Sequence, residues 1–312
     1  MNKLTKVGLT ALASAVIAAP AISADFGLSG GASVSYTNVS DTSNGNPFSF
    51  GDSITISASG ELDNGMTVAV SYELDEGNAG WDDHKLSLSC DTFGTVQITK
   101  SLTAGGIGTI ANKVPTANTP VFEVVNGVDR GQADQDIGGD NAIGWTSNDL
   151  GGLTLSAMYL AVDTQADHSW SITYDASSLV DGLEVGYGAG EDGTTSDNTT
   201  YYAKYTMGGL TVAYQKSSVD YTTAGSTVGT SADEDATHYG ISFAVNDDLT
   251  ISYDKSISDK SDAAVDEEIN SIQASYTMGS MTIKGHISKA DNEQFSSGAE
   301  DEAKAIDVSW SF

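Results

Sequence analysis

The carboxylates between Ser101 and Asp140 are the first groups in this sequence with chemistry to offer. Glu123, Asp129, Asp134, Asp136 and Asp140 crowd into one stretch with Arg130, the only arginine of the chain. Acids gathered around one fixed cation set up an electric field in water, which is ion-handling chemistry. Asp134, Asp136 and Asp140 also hint at an oxygen cage for calcium. The EF-hand pattern fails there, because its fifth position is Gly138 and its twelfth is Trp145. Beyond structural calcium or magnesium, no cofactor is expected. The four histidines, His84, His168, His238 and His286, show no metal-ligand spacing, and no serine, histidine and acid grouping carries a local motif. No enzyme is therefore expected. Gly106-Ile107-Gly108-Thr109-Ile110-Ala111 fits a dinucleotide-binding pattern, but Pro115 would cut the following helix short. Loop flexibility is the better reading of that segment.

These groups need elements to hold them, and composition limits which. The chain has 312 residues with 43 Asp+Glu against 13 Lys+Arg, so the formal net charge is −30. Basic-patch binding of nucleic acid is excluded. Apolar residues make up 39%, below the roughly 45–50% of a soluble globular domain, and glycine, serine and threonine fill the difference. Cys90 is the single cysteine, so no intrachain disulfide forms. Met1 to Ala24 has a basic start (Lys3, Lys6), an apolar run from Val7 to Ala19 and small residues up to Ala24. That is the layout of an export leader cleaved after Ala24 or Ser23. Residues 25–312 then form one domain.

Period two dominates that domain. Leu153, Leu155, Ala157, Tyr159 and Ala161 share one parity, and Met66, Val68, Val70, Tyr72 and Leu74 repeat the pattern against Thr67, Ala69, Ser71 and Glu73. Tight connections at Asp63 to Gly65, Asp91 to Gly94, Asn148 to Gly152, Ser177 to Gly182, Gly208-Gly209, Asn246 to Asp248 and Gly279-Ser280 alternate with eight longer polar stretches. Seven turns and eight loops join sixteen strands. One greasy face and one hydroxylic face, with short turns on one rim and long loops on the other, predict an all-β, antiparallel transmembrane barrel with a wet interior. Outward parity gives Tyr72, Tyr174, Tyr187, Tyr205, Tyr214, Tyr253 and Tyr276 to the interfacial girdles. Inward parity lines the pore wall with Lys85, Lys204, Lys284 and His286 beside Glu61, Glu73, Asp175, Glu184, Asp254 and Asp307. Acids outnumber bases there, which predicts a weakly cation-selective opening. The acid runs Asp233-Glu234-Asp235, Asp266-Glu267-Glu268 and Glu300-Asp301-Glu302 are placed at the outer rim, where divalent ions could bridge them to lipid phosphates.

The last strand, Ala303 to Phe312, puts Ile306, Val308, Trp310 and Phe312 on one face. With this ending, and with junctions such as Leu150-Gly151-Gly152-Leu153-Thr154 and Met207-Gly208-Gly209-Leu210-Thr211, the chain resembles the general diffusion porins of Gram-negative outer membranes. It is most similar to the sixteen-stranded trimeric porins of alphaproteobacteria. The resemblance implies passive diffusion of small hydrophilic solutes and ions, with outer-membrane lipid and lipopolysaccharide as surroundings and a homotrimer as assembly. It further implies that Ser101 to Asp140, the third long loop, folds inward to narrow the pore. Phe312, helped by Trp310, would be the signal read by the barrel-assembly machinery. A substrate-specific channel of the same architecture is the alternative, and would need a saturable site such as an aromatic track. A surface adhesin fits the polar second faces poorly. The scarcity of arginine departs from the resembled family and weakens any transfer of its basic cluster.

Overall fold

The computed structural model describes residues 25–40, 46–75, 81–100, 103–124, 139–161, 166–193, 196–221 and 232–312. The expected leader, Met1 to Ala24, lies outside them, as do Asp129, Arg130, Asp134 and Asp136. Sixteen strands close into one antiparallel barrel. They are β1 Asp25–Val39, β2 Phe48–Glu61, β3 Thr67–Asp75, β4 Trp81–Cys90, β5 Gly94–Lys100, β6 Ala142–Thr146, β7 Leu153–Leu160 and β8 Asp167–Asp175. The second half comprises β9 Leu183–Asp192, β10 Ser196–Met207, β11 Leu210–Tyr221, β12 Glu234–Ala244, β13 Leu249–Lys260, β14 Glu267–Met278, β15 Met281–Asp291 and β16 Glu300–Ser311. Every strand pairs with its neighbours in the chain, and β16 pairs with β1 to complete the ring.

All seven expected tight turns join strands of one rim, and in six of them glycine supplies a positive φ, as at Gly65 (81°) and Gly279 (63°). The longer connections fall on the other rim, where β9 ends at Asp192 and β10 already begins at Ser196. Residues directly opposite in the ladder point the same way, so the register settles both faces. Ser252, Gln273, His286 and Ala305 follow one another across β13 to β16, as do Ile251, Ala274, Gly285 and Ile306 on the other face. The first face is buried or half-buried, while the second carries the exposed hydrophobics, among them Ile272, Ile287, Ile306, Tyr253 and Trp310. The barrel is thus apolar outside and polar inside.

Little apolar side chain is packed inside the barrel. Two small clusters form where the connection after β5 meets the inner wall. In one, Ala104 and Ile107 pack on Ala142 and Met158. In the other, Val121, Phe122 and Val124 pack on Ile269, Ala290 and Ala303. This connection contains two single 3-10 turns, Gly106–Ile110 and Val121–Glu123. It is therefore not structureless, and the flexibility expected of Gly106 to Ala111 is wrong: Ile107 and Ile110 are completely buried.

Candidate functional site

From β5 the chain turns into the barrel and crosses it against the inward faces of later strands. The Gly106 N–H donates to Ser156 Oγ (2.9 Å) on β7, and the Ile107 N–H to Ser169 Oγ (3.2 Å) on β8. Farther on, Gln215 of β11 accepts from the Lys113 N–H (2.9 Å) and donates to the carbonyls of Ile110 (3.0 Å) and Ala111 (2.6 Å). Ser252 Oγ on β13 accepts from the Ala117 N–H at 2.9 Å. Gln273 Oε1 on β14 accepts from both Asn118 N–H (2.8 Å) and Thr119 N–H (2.9 Å), while its Nε2 donates to Thr119 O (2.7 Å). The Asn118 side-chain amide then reaches His286 Nδ1 (2.9 Å) on β15 and Asp307 Oδ2 (3.2 Å) on β16. Backbone groups of an irregular segment are costly to bury unless paired, and the wall supplies their partners.

Wall glycines make the recess. A Cβ on Gly144 of β6 would fall 1.7 Å from the Ala104 carbonyl oxygen, and one on Gly188 of β9 would press on Ile110 and Ile107. Neither position has room for a side chain while the loop is seated.

Among the described residues, an opening lies between the loop and the β15, β16 and β1 wall. A cavity of about 700 Å³ is lined there by Ser33, Ser35, Thr37, Asn118, Thr119, Glu123, Lys284 and Asp307, with Ser309 below. Hydroxyls, one amide, two carboxylates and one lysine make a hydrated passage. Beyond it the inward face of β1 to β4 continues in serine: Ser29, Ser57, Ser71 and Ser87 share that parity with Lys85. On the far side of the loop, Lys204 Nζ sits 3.0 Å from Glu184 Oε2, and Tyr202 donates to Glu184 Oε1 at 2.6 Å. Lys113 Nζ lies over the Tyr202 ring, 5.6 Å from its centroid. Burial holds the Lys113 ammonium below its ordinary pKa, against the pull of Glu184 and with a further push from Lys204.

Most residues expected on the wall are there. Glu61, Glu73, Lys85, Asp175, Glu184, Lys204, Lys284 and Asp307 all have inward parity in the register. One expectation needs correction. Asp254 is 0% exposed, sealed under the loop with both oxygens near Gln273 Nε2 (3.0 and 3.1 Å), so it does not face the open passage. His286 lies on the inward face and lines the passage, where it also anchors Asn118. Of the expected loop acids, Glu123 lines the passage and Asp140 lies exposed at the end of the loop. Asp129, Arg130, Asp134 and Asp136 fall outside the described residues, and with them the suggested calcium cage. Trp310 and Phe312 point outward from β16. Sequence reading missed Asn118, Gln215 and Gln273. The one available signal was an amide side chain at inward parity, where Ser and Thr are the rule.

The model of the Gram-negative porin family matches residues 8–310. No curated protein sequence matches the chain. Among solved structures, an anion-selective porin from Comamonas acidovorans superposes with a TM-score of 0.66 at 15% identity, covering 93% of this chain and 100% of that one. The trimer form of OmpT, an outer membrane protein of Vibrio cholerae, gives 0.66 at 14% identity over 93% and 99%. A triple mutant of Rhodopseudomonas blastica porin gives 0.60 at 15% identity over 93% and 100%. At such identities these structures share the fold with this chain.

Proposed function

Because the chain belongs to the Gram-negative porin family, and so forms an outer-membrane channel and not an enzyme, we propose that it passes small hydrophilic solutes and ions by diffusion with a weak preference for cations. The observation that carries this reading is the loop pinned across the lumen by Gln215, Ser252 and Gln273, which leaves a passage walled by hydroxyls and carboxylates. Such a surface holds water, and Val39, Val124 and Ala305 are its only apolar side chains among the described residues. Glu184 is matched by Lys204, whereas Glu123 and Asp307 face the passage with Lys284 alone. The surplus raises the local cation concentration. The Comamonas porin of the same fold is anion-selective. The reading of the sign rests on the lumen side chains of this chain and not on the shared fold.

Tyr202, an inward-facing aromatic, is 3% exposed and offers no ring to a passing sugar, which favours general diffusion over a substrate-specific channel. A homotrimer in lipopolysaccharide and lipid, delivered by the leader Met1 to Ala24 and assembled by recognition of Trp310 and Phe312, completes the proposal. Calcium or magnesium at Asp134, Asp136 and Asp140 is a structural possibility within it. Single-channel recordings in planar bilayers under a salt gradient test the reading. Steady ohmic conductance with a cation-favouring reversal potential is expected. An anion-favouring potential overturns the selectivity, and silent membranes overturn the channel.

A further inference from the structure

Asn118 makes two side-chain contacts with the wall from a single atom. Its Nδ2 lies 2.9 Å from His286 Nδ1 on β15 and 3.2 Å from Asp307 Oδ2 on β16. A carboxylate accepts only, so the amide nitrogen has to face this way and donate to Asp307. His286 Nδ1 then has to accept as well, which leaves the proton of a neutral ring on Nε2. The arrangement is complete for an uncharged imidazole and for nothing else.

A second proton turns Nδ1 into a donor, and no orientation of the amide then suits both neighbours. As it stands, amide N–H would meet ring N–H. Turned over, the amide oxygen would accept from the ring, but it would take the place of Nδ2 beside Asp307 Oδ2, acceptor against acceptor. Either way one contact becomes repulsive, at a ring that is only 8% exposed and so poorly compensated by water. All three residues line the passage, so an amide driven from the wall has open space to enter.

Few charges surround the ring. Lys284 precedes it by two residues on β15, and faces Asp307 across the ladder. The loop brings Glu123 to the same cavity, and β1 brings only the hydroxyls of Ser33, Ser35 and Thr37. On the β14 side His286 is level with Gln273, behind which Asp254 is buried. Imidazole is the side chain that ordinarily changes charge between about pH 5 and 8, above the range of these carboxylates.

We infer that His286 and Asn118 form a proton-operated latch in the passage: the neutral ring holds the Asn118 amide to the wall, and protonation releases it into the opening while adding a positive charge beside Asp307. The loop backbone stays on Gln273, so the opening is reshaped and not unplugged. The latch rests on the channel reading above and adds a regulation to it.

Single-channel recording at about pH 8 and about pH 5.5, on either side of imidazole titration, tests it. In the parent protein acidification should raise open-channel current noise several-fold and move the reversal potential towards zero. H286Q keeps an acceptor for Asn118 but gains no proton, so both changes should vanish. N118A removes the latch and keeps the titrating ring, so the noise change should vanish while the shift in reversal potential remains. H168Q alters a histidine exposed beside Glu191 and should respond like the parent. Parent currents that are the same at both pH values overturn the latch without recourse to any variant, as does a noise change that survives in H286Q or N118A. Silent membranes overturn the channel reading instead, so the two failures are distinguishable.

Discussion

Gly30 and Phe312 exchange two backbone hydrogen bonds, Gly30 N–H to Phe312 O at 3.1 Å and Phe312 N–H to Gly30 O at 3.0 Å. The ring of Phe312 lies against the same glycine: a Cβ on Gly30 would fall 2.9 Å from Phe312 Cζ and 2.6 Å from the Ser53 carbonyl oxygen. The terminal residue therefore closes the ladder over a position that admits no side chain.

Gly30→Val should displace both the ring and the β2 backbone, losing bonds of about 1 kcal/mol each together with the ring contact. The folded, heat-modifiable form recovered from membranes is expected to fall several-fold. Phe312→Ala removes the ring alone and, on the proposed recognition of this residue by the assembly machinery, should lower yield less in refolding from denaturant than in cells. Equal losses in both settings would argue against the recognition role.

Gln273→Leu tests the pins. It leaves the Asn118 and Thr119 N–H groups without an acceptor and takes away the donor to buried Asp254, a change costing on the order of 1–3 kcal/mol for each stranded group. The loop should loosen, and open-channel current noise should rise several-fold while the barrel remains folded. Unchanged noise would mean that Gln215 and Ser252 suffice to hold it.

The charge argument is checked by Glu123→Lys. This change places two cations opposite Asp307 in the passage and should abolish or reverse the cation preference in reversal-potential measurements. Lys284→Gln should strengthen that preference.

Lys113 sets a pH dependence whose sign follows from its burial. Its pKa in the folded protein lies below the ordinary lysine value of 10.5, so between the two values the unfolded chain binds more protons. The loop seat therefore gains stability as pH rises through the depressed value towards 10.5, and is at a disadvantage below it, where the buried ammonium stays charged. Lys113→Met should flatten the difference in thermal midpoint between pH 7 and pH 10 relative to the parent protein.

Chelation of divalent cations should lower the thermal midpoint through the outer-rim acids and the proposed site at Asp134, Asp136 and Asp140. No shift would remove calcium and magnesium from the proposal.

The strands were legible because each inward Ser or Thr alternates with an outward apolar residue, and that period needs no knowledge of partners. Turns such as Asp63 to Gly65 were legible from local chemistry, as Asn64 Oδ1 accepting from the Met66 N–H at 3.2 Å illustrates. The loop's seat was not. Asn118 and Gln273 are 155 positions apart in sequence, and nothing near Gln273 distinguishes a pin from an ordinary lumen amide. Gly106 misled for a related reason: its glycine serves close approach to the wall, with a Cβ there falling 2.0 Å from Ser169 Oγ, and not pliability. Asp254 was placed correctly by parity, but its burial depends on a segment more than 130 residues upstream.

The crossing loop is fastened to β7, β8, β11, β13, β14, β15 and β16, which together cover much of the ring. Its tethers run like spokes from rim to hub. Lateral squeezing that ovalises the cylinder, whether from membrane thickness or from a neighbouring molecule, therefore shifts several tethers at once and alters the bore. Conductance in bilayers of different thickness becomes a readout of barrel shape.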